Sequence, residues 1–398
     1  MSNPSVAARQ PSLFAVCAAG LLVLAIAMGI GRFAFTPMLP LMIRAGSADV
    51  ADGGWLAAAN YAGYLLGALT AARLPLSPQR TGMVSLVAIV LSTAAMGWVD
   101  SLSAWLLLRT VAGVASAWAL VSTSVWCLSW LARLGRPGGA GVVYAGVGAG
   151  IALAGLYCWR AGAAGISPDR LWLHLGLLAL AGAIGVAMLM PRASEPAVVA
   201  PGSNLKVRAG SQQWDLVICY GVLGFGYILP ATFLPVLARA VVDDPSVFGA
   251  AWPVFGTAAA LSTLFAGVLL SDFSRRQVLA GSHVLMALGC VLPVLHLSAG
   301  TVLAAALLVG GTFMVATMAG MQAARAGAVG DPSRALGRMT ASFAIGQMGG
   351  PLLSSALSGK SESFGGLFIA LALGAGALIA SAAWLLRAPR IPASESVN

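Results

Sequence analysis

Arg32 is the side chain with the most chemical potential in this sequence. It stands in GIGRFAFTPMLPLM, residues 29–42, closing an apolar run that begins at Leu13. A guanidinium at the centre of an apolar, membrane-length segment costs about 2.5–3.5 kcal/mol on insertion scales, so its presence calls for a compensating role. Its planar fork of donors suits a bound carboxylate or phosphate. A second arginine, Arg109, opens RTVAGVASA, with Gly113 and Ala117 on the same helical face at i+4 and i+8. At a rise of 1.5 Å per residue, Arg109 lies ~9 Å from the end of its apolar run and Arg32 ~15 Å from the end of its own. Snorkelling to the surface is therefore open to Arg109 and harder for Arg32. Asp52, Asp100, Asp215 and Asp272 all fall at expected helix ends, so no mid-span carboxylate neutralises either arginine. The expected substrate-binding set is Arg32, Arg109, Asn60, Tyr61, Tyr144, Tyr227, Thr232, Gln322 and Gln347, with Tyr64 a further embedded polar group. Other chemistry finds little support. His174, His283 and His296 are scattered singly, and there is no HExxH and no Cys/His cluster. No Ser/His/Asp set falls at a common depth, so neither catalysis nor a metal nor a cofactor is expected. Met314, Met318 and Met321 read as packing.

The elements that must hold these residues are apolar helices. Of 398 residues, 59% are hydrophobic and 9% charged, against roughly 25% charged in a soluble domain. The composition is that of a polytopic membrane protein. The net charge of +10 lacks a soluble basic face on which to bind nucleic acid, so it reads as topology instead. The five cysteines, Cys17, Cys127, Cys158, Cys219 and Cys290, lie in or at the ends of apolar runs, without metal spacing, and read as small packing residues. The first span covers 13–42, and others follow near 53–72, 82–99, 103–132, 138–159 and 170–190. A Pro-, Ser-, Gly- and Ala-rich stretch, 191–213, reads as a cytoplasmic linker. Beyond it lie spans near 214–238, 247–270, 278–296, 300–324, 338–358 and 364–386. The expectation is all-α, with twelve transmembrane helices in two six-helix bundles, 13–190 and 214–386, between cytoplasmic tails 1–12 and 387–398.

A repeat supports the division. GFGYILPATFLPVL, residues 224–237, matches the Arg32 stretch at a shift of 195: Gly29 falls on Gly224, Gly31 on Gly226, Leu39 on Leu234 and Pro40 on Pro235. Arg32 falls on Tyr227. Ala25-Ile26-Ala27 mimics a signal-peptidase site, but the mid-chain copy of the segment argues that it is a retained span. With the N-terminus inside, Arg44, Arg160, Arg170, Arg239 and Lys360 lie outside, and Arg32 and Arg109 lie within the membrane. Of the 22 Lys and Arg, 22 − 5 − 2 leaves fifteen on the cytoplasmic side, a threefold bias.

The glycine–x–glycine–Arg–Phe wording of the first span and the Pro-x-x-Pro after it resemble the YbfB/YjiJ-type branch of the major facilitator superfamily. The resemblance covers most of the chain. It implies parallel repeats with the substrate site between them, and cavity-lining first, fourth, seventh and tenth helices that bring Arg32 and Arg109 to one anion site. Arg109, Gly113 and Ala117 resemble the fourth-helix motif associated with proton coupling in exporters of that superfamily. GVLLSDFSRR, with Gly267, Asp272, Arg275 and Arg276, resembles its cytoplasmic gate latch; the first copy, Gly67 to Arg80, has lost the aspartate. The fifth span, YAGVGAGIALAG, resembles the antiporter glycine motif without its proline. The pairs Gly63–Gly67, Gly146–Gly150 and Gly346–Gly350 let backbones approach closely, and the resemblance implies that their helices meet between the halves. Together these features imply a monomeric secondary transporter in the plasma (inner) membrane, both termini cytoplasmic. It would move a small organic molecule, anionic or amphipathic, by alternating access, with a coupling ion as a possible partner and the bilayer as its solvent. The alternatives are a transporter-fold sensor that does not transport and a membrane-embedded enzyme. With no GxxxxGK[ST] loop in the chain, the driving force is expected to be a gradient.

Overall fold

The computed structural model describes residues 11–190, 213–239, 241, 245–328, 330–358 and 365–387. Most of the expected linker and tails lies outside those residues, as does Lys360 between the last two expected spans. The described chain is helical and has no strand. We number the long helices α1 (Leu13–Arg44), α2 (Val50–Thr70), α3 (Pro78–Ala95), α4 (Leu102–Arg133), α5 (Ala140–Ala163) and α6 (Pro168–Leu189). They continue as α7 (Trp214–Arg239), α8 (Pro245–Leu269), α9 (Arg275–Leu295), α10 (Ala299–Ala326), α11 (Pro332–Ser358) and α12 (Gly365–Arg387).

Local chemistry sets their ends. Ser12, Ser77 and Ser101 each accept a backbone N–H three residues on, and Asp49 with Asp52 forms a reciprocal capping box at the start of α2. Gly46 and Gly165, with φ of +73° and +75°, turn the chain after α1 and α5 in the left-handed region that favours glycine.

Nine helices among the described residues are long and apolar enough to cross a membrane: α1, α4 to α6, part of α7, part of α8, α9, α10 and α12. The other three carry their polarity at identifiable places. In α3, 18 residues long, the first turn is Pro78-Gln79-Arg80. In α2 and α11 the polar residues include Asn60, Tyr61, Thr340 and Gln347, which face the interior. The outer surface is apolar: Val84, Val87 and Leu91 of α3 form an exposed stripe, as do Leu177, Ile184 and Met188 of α6. Such continuous exposed apolar surface suits contact with lipid.

The packing follows the repeat. α1 packs on α5, α2 and α3 on α4, and α3 on α6; six helices later, α7 packs on α11, α8 and α9 on α10, and α9 on α12. α5 lies along α8, and α2 along α11, a pair of contacts that the same six-helix shift exchanges. Small residues carry the α5–α8 contact from end to end. A Cβ on Gly148 would overlap the backbone at Gly256 and Ala260, and Gly141 and Gly155 lie against Thr263 and Pro253.

The glycine pairs do pack closely, but against partners other than those implied. Gly63 and Gly67 meet the carbonyls of Thr110 and Val114 in α4, and Gly146 and Gly150 meet those of Leu21 and Ala25 in α1. Gly346 meets the Gly221 carbonyl, and Gly350 meets Ile228, both in α7. All three pairs therefore join α2 to α4, α5 to α1 and α11 to α7. The faces that cross from α5 to α8 carry Gly141, Gly148 and Gly155 instead. A helix has several faces, and four-residue spacing marks a smooth one without naming its partner.

Candidate functional site

The middle of α1 is wound wide. Ala25–Phe33 is π-helical, with ordinary α-helix on either side. Wide turns inside an α-helix are frequent at functional sites, and this one runs for nine residues. Gly29 permits it to lie against α5, where a Cβ would overlap the Gly150 backbone. Where i→i−5 bonding gives way to i→i−4, carbonyls are left short of donors, and Pro37 has no N–H to offer. Side chains of α4 make up the difference. Arg109 donates from Nη1 to the Gly31 carbonyl and from Nη2 to the Arg32 carbonyl, both at 3.1 Å. Ser116 donates to the Ala27 carbonyl at 2.7 Å. The Arg109 guanidinium also lies 4.7 Å from the centre of the Phe35 ring.

Arg32 is thereby held in the interior, 3% exposed. Its Nη2 donates to Gln347 Oε1 of α11, while its Nε and Nη1 are buried without a partner. Tyr64 of α2 presents its ring face to the guanidinium at 3.9 Å, with Phe33 and Tyr61 at 5.4 and 5.5 Å. Cation–π contact of this kind contributes about 2 kcal/mol when desolvated, below the cost of burying the charge. No carboxylate pairs with either arginine among the described residues, where the ion pair is Arg276–Asp215.

Aromatic rings close over this centre. Phe313 of α10 stacks on Tyr227 at 4.7 Å and on Phe255 at 5.5 Å, and its edge meets Phe33 at 6.3 Å. Tyr227 lies 6.1 Å from Phe343, and Trp252 stacks on Phe255 at 5.2 Å. Among them is a cavity of about 20 Å³, lined by Met28, Phe33, Tyr64, Phe313, Met314 and Phe343 with six further residues. A space that small holds no more than about one water.

The sequence-derived set divides accordingly. Arg32, Tyr61 and Gln347 meet at the centre, and Tyr227 joins them through the ring cluster, its hydroxyl buried without a partner. Asn60 instead ties α2 to α4, its Nδ2 donating to the Arg109 carbonyl at 2.9 Å. The Tyr144 hydroxyl pairs with Ser124 Oγ at 2.6 Å, between α5 and α4. Gln322 stands nine residues beyond Phe313 on α10, roughly 13 Å along the helix axis, and Thr232 is exposed. Neither reaches the arginine. Arg109 also departs from expectation: its two terminal nitrogens serve backbone carbonyls of α1, so the paired-guanidinium arrangement is absent. Tyr64 is the nearest aromatic to Arg32 and lies outside the expected set. Its spacing from Tyr61 and Asn60, at i+3 and i+4, was the available signal.

The latch is also rearranged. Asp272 is exposed and accepts from Ser271 Oγ at 3.2 Å, because the Ser274–Gln277 capping box begins α9 only after it. Arg275 is half-buried in the first turn of α9. Arg276 reaches Asp215 at the start of α7 instead. A different contact joins α10 to α4: Arg325 Nη2 donates to Ser129 Oγ at 3.1 Å.

Comparison with known proteins agrees with this architecture. The family model described as "Uncharacterised MFS-type transporter YbfB" matches residues 24–386. No curated protein matches the chain. Among solved structures, the human organic anion transporter MFSD10 (TETRAN) is similar at a TM-score of 0.71 and 15% identity, covering 94% of this chain and 100% of that one. The transporter FucP, solved in its outward conformation, is similar at a TM-score of 0.68 and 13% identity, covering 94% and 97%. At such identities the structural likeness speaks for the fold, while the family match runs from within α1 nearly to the end of α12. The chain belongs to the YbfB-type transporters of the major facilitator superfamily.

Proposed function

We propose that this membrane transporter is a secondary carrier that moves a small organic anion by alternating access between two six-helix bundles, residues 13–190 and 214–386. All twelve long helices span the membrane in this reading, which takes α2, α3 and α11 as spans whose polar groups face the interior or cap an end. The basic end, with Arg73, Arg133, Arg276 and Arg325, faces the cytoplasm, in keeping with the positive-inside rule. The membrane is the plasma (inner) membrane, and both termini are cytoplasmic.

One observation carries the anion reading: a guanidinium 3% exposed, with two nitrogens unpartnered, bonded from α1 to α11 across the proposed bundle boundary. The likeness to an organic anion transporter is one of fold, so the substrate reading rests on Arg32. A gradient of an ion or of the substrate drives the cycle.

The test is uptake by the purified protein in liposomes, using a panel of labelled organic anions beside neutral solutes of similar size. Saturable uptake of one or more anions is expected, with Arg32→Ala incorporated normally and inactive. Uptake that persists unchanged in Arg32→Ala overturns the assignment.

A further inference from the structure

We infer that the ligand is a monocarboxylate with an apolar body, and that the Gln347 amide holds the place of its carboxylate oxygen while the site is closed. This deepens the transport reading and rests on it. The hydrogen-bond inventory at the centre is one-sided. Arg32 Nε and Nη1 and Gln347 Nε2 are buried without partners and can only donate, and the unpartnered Tyr227 hydroxyl beside them can donate or accept. A buried donor left unpaired is unfavourable, and with three donor-only atoms unmet the closed site is short of acceptors. Gln347 Oε1 supplies one, to Arg32 Nη2. A carboxylate has two oxygens and about four lone-pair sites, enough for a fork from Arg32 and a bond from the amide once it rotates to offer Nε2.

Charge limits the anion to one. Arg109 has committed both terminal nitrogens to the Gly31 and Arg32 carbonyls, which leaves one guanidinium to bind the ligand. A dicarboxylate or a phosphate dianion would bring a second negative group into the interior with no second guanidinium fork free to bond it. The walls decide the body. Met28, Phe313, Met314 and Phe343 are apolar, and methionine adapts readily to different shapes. The hydroxyls of Thr317 and Thr340, also in the lining, are satisfied by the Phe313 and Leu336 carbonyls of their own helices. Beyond the Tyr64 and Tyr220 hydroxyls, a polyol would find few partners there. The cavity of about 20 Å³ admits no such ligand while closed, so binding requires the helices around it to separate. Exchange of Gln347 for a carboxylate at Arg32 then remakes the link from α1 to α11 through the ligand.

The experiment uses the full chain in detergent with four probes: 4-phenylbutyrate, its neutral amide, glutarate and phenyl phosphate. Binding is read by calorimetry and thermal shift. 4-Phenylbutyrate is expected to bind about tenfold or more tightly than each of the others, a difference of about 1.4 kcal/mol. Arg32→Lys, which loses the fork, should weaken it about tenfold or more. Gln347→Glu provides the decisive second variant, because it places a permanent carboxylate at Arg32. It should keep or raise the melting temperature while abolishing 4-phenylbutyrate binding. Equal or tighter binding of the amide, glutarate or phenyl phosphate overturns the ligand class. So does wild-type affinity for 4-phenylbutyrate in Gln347→Glu. Selective binding without uptake in liposomes supports the ligand class and overturns transport; uptake confined to neutral or dianionic solutes supports transport and overturns the ligand class.

Discussion

Arg109 sends two donors to the backbone of the helix that carries Arg32. Its charge is offset by those carbonyl dipoles and by the Phe35 ring. The bonds set the rotation of α1 at Arg32, so Arg109 acts on the site as a positioning residue. Lysine in its place has the charge but not the fork, and reaches one carbonyl at most. Arg109→Lys is expected to destabilise the protein by about 1–3 kcal/mol, the worth of a charged hydrogen bond lost in the interior. It should weaken ligand binding less than Arg32→Lys does. The check is thermal unfolding of both variants in detergent beside their ligand affinities. Unchanged stability for Arg109→Lys, with binding lost as fully as in Arg32→Lys, would return Arg109 to the anion site.

Two neighbouring glycines of α5 face different helices, and that separates two kinds of contact. Gly150 lies against Ala25 of α1, the first residue of the π-helical segment, whereas Gly148 lies against Gly256 and Ala260 of α8, across the proposed bundle boundary. In both places a Cβ would meet backbone, which cannot swing aside as a side chain can. Overpacking of this sort costs about 1–3 kcal/mol. Gly150→Ala should lower the melting temperature, because α1 and α5 lie within one proposed bundle. Gly148→Ala should shift the resting population instead, parting α5 from α8 and raising the accessibility of a cysteine placed at Thr263, with a smaller loss of stability. Labelling of that cysteine that is the same in Gly148→Ala and the parent would place the α5–α8 contact outside the moving interface.

At the scale of the whole molecule, orientation can be tested on exposed turns. The five native cysteines are all buried, so a single introduced thiol reports its own side. Ser47 follows α1 and Ser271 precedes α9, and both are exposed. In intact cells Ser47→Cys should react with a membrane-impermeant maleimide, and Ser271→Cys should react only after permeabilisation. Both reacting from the same side would remove the proposed arrangement of spans.

Much of this was legible in the residue order because a bilayer imposes a one-dimensional rule. Each span must satisfy its own backbone bonds and present apolar side chains to lipid, so hydropathy, caps and loop charge locate helices directly. The described helices coincide with the expected spans to within about four residues at every end but one, the start of α11, which begins at Pro332 rather than 338. The Gly29/Gly224 repeat reappears as matched contacts, α1 on α5 and α7 on α11. The burial of Arg32 was legible for the same reason. The partners were not. Arg32 and Gln347 are 315 residues apart, and periodicity says which side of a helix is smooth or polar without saying what lies opposite. Arg109 looked like a second anion ligand because the π-helical turn, whose bare carbonyls occupy it, leaves no clear mark in composition. Asp272 looked like the latch because Asp215, the carboxylate that Arg276 reaches, is 61 residues away. The sequence by itself determined the membrane class, the helices, the repeat and the buried charge, since each is a property of one segment in its solvent. Only the tertiary structure decided which groups satisfy that charge and which glycines join which helices, because those depend on how separate segments rotate against one another.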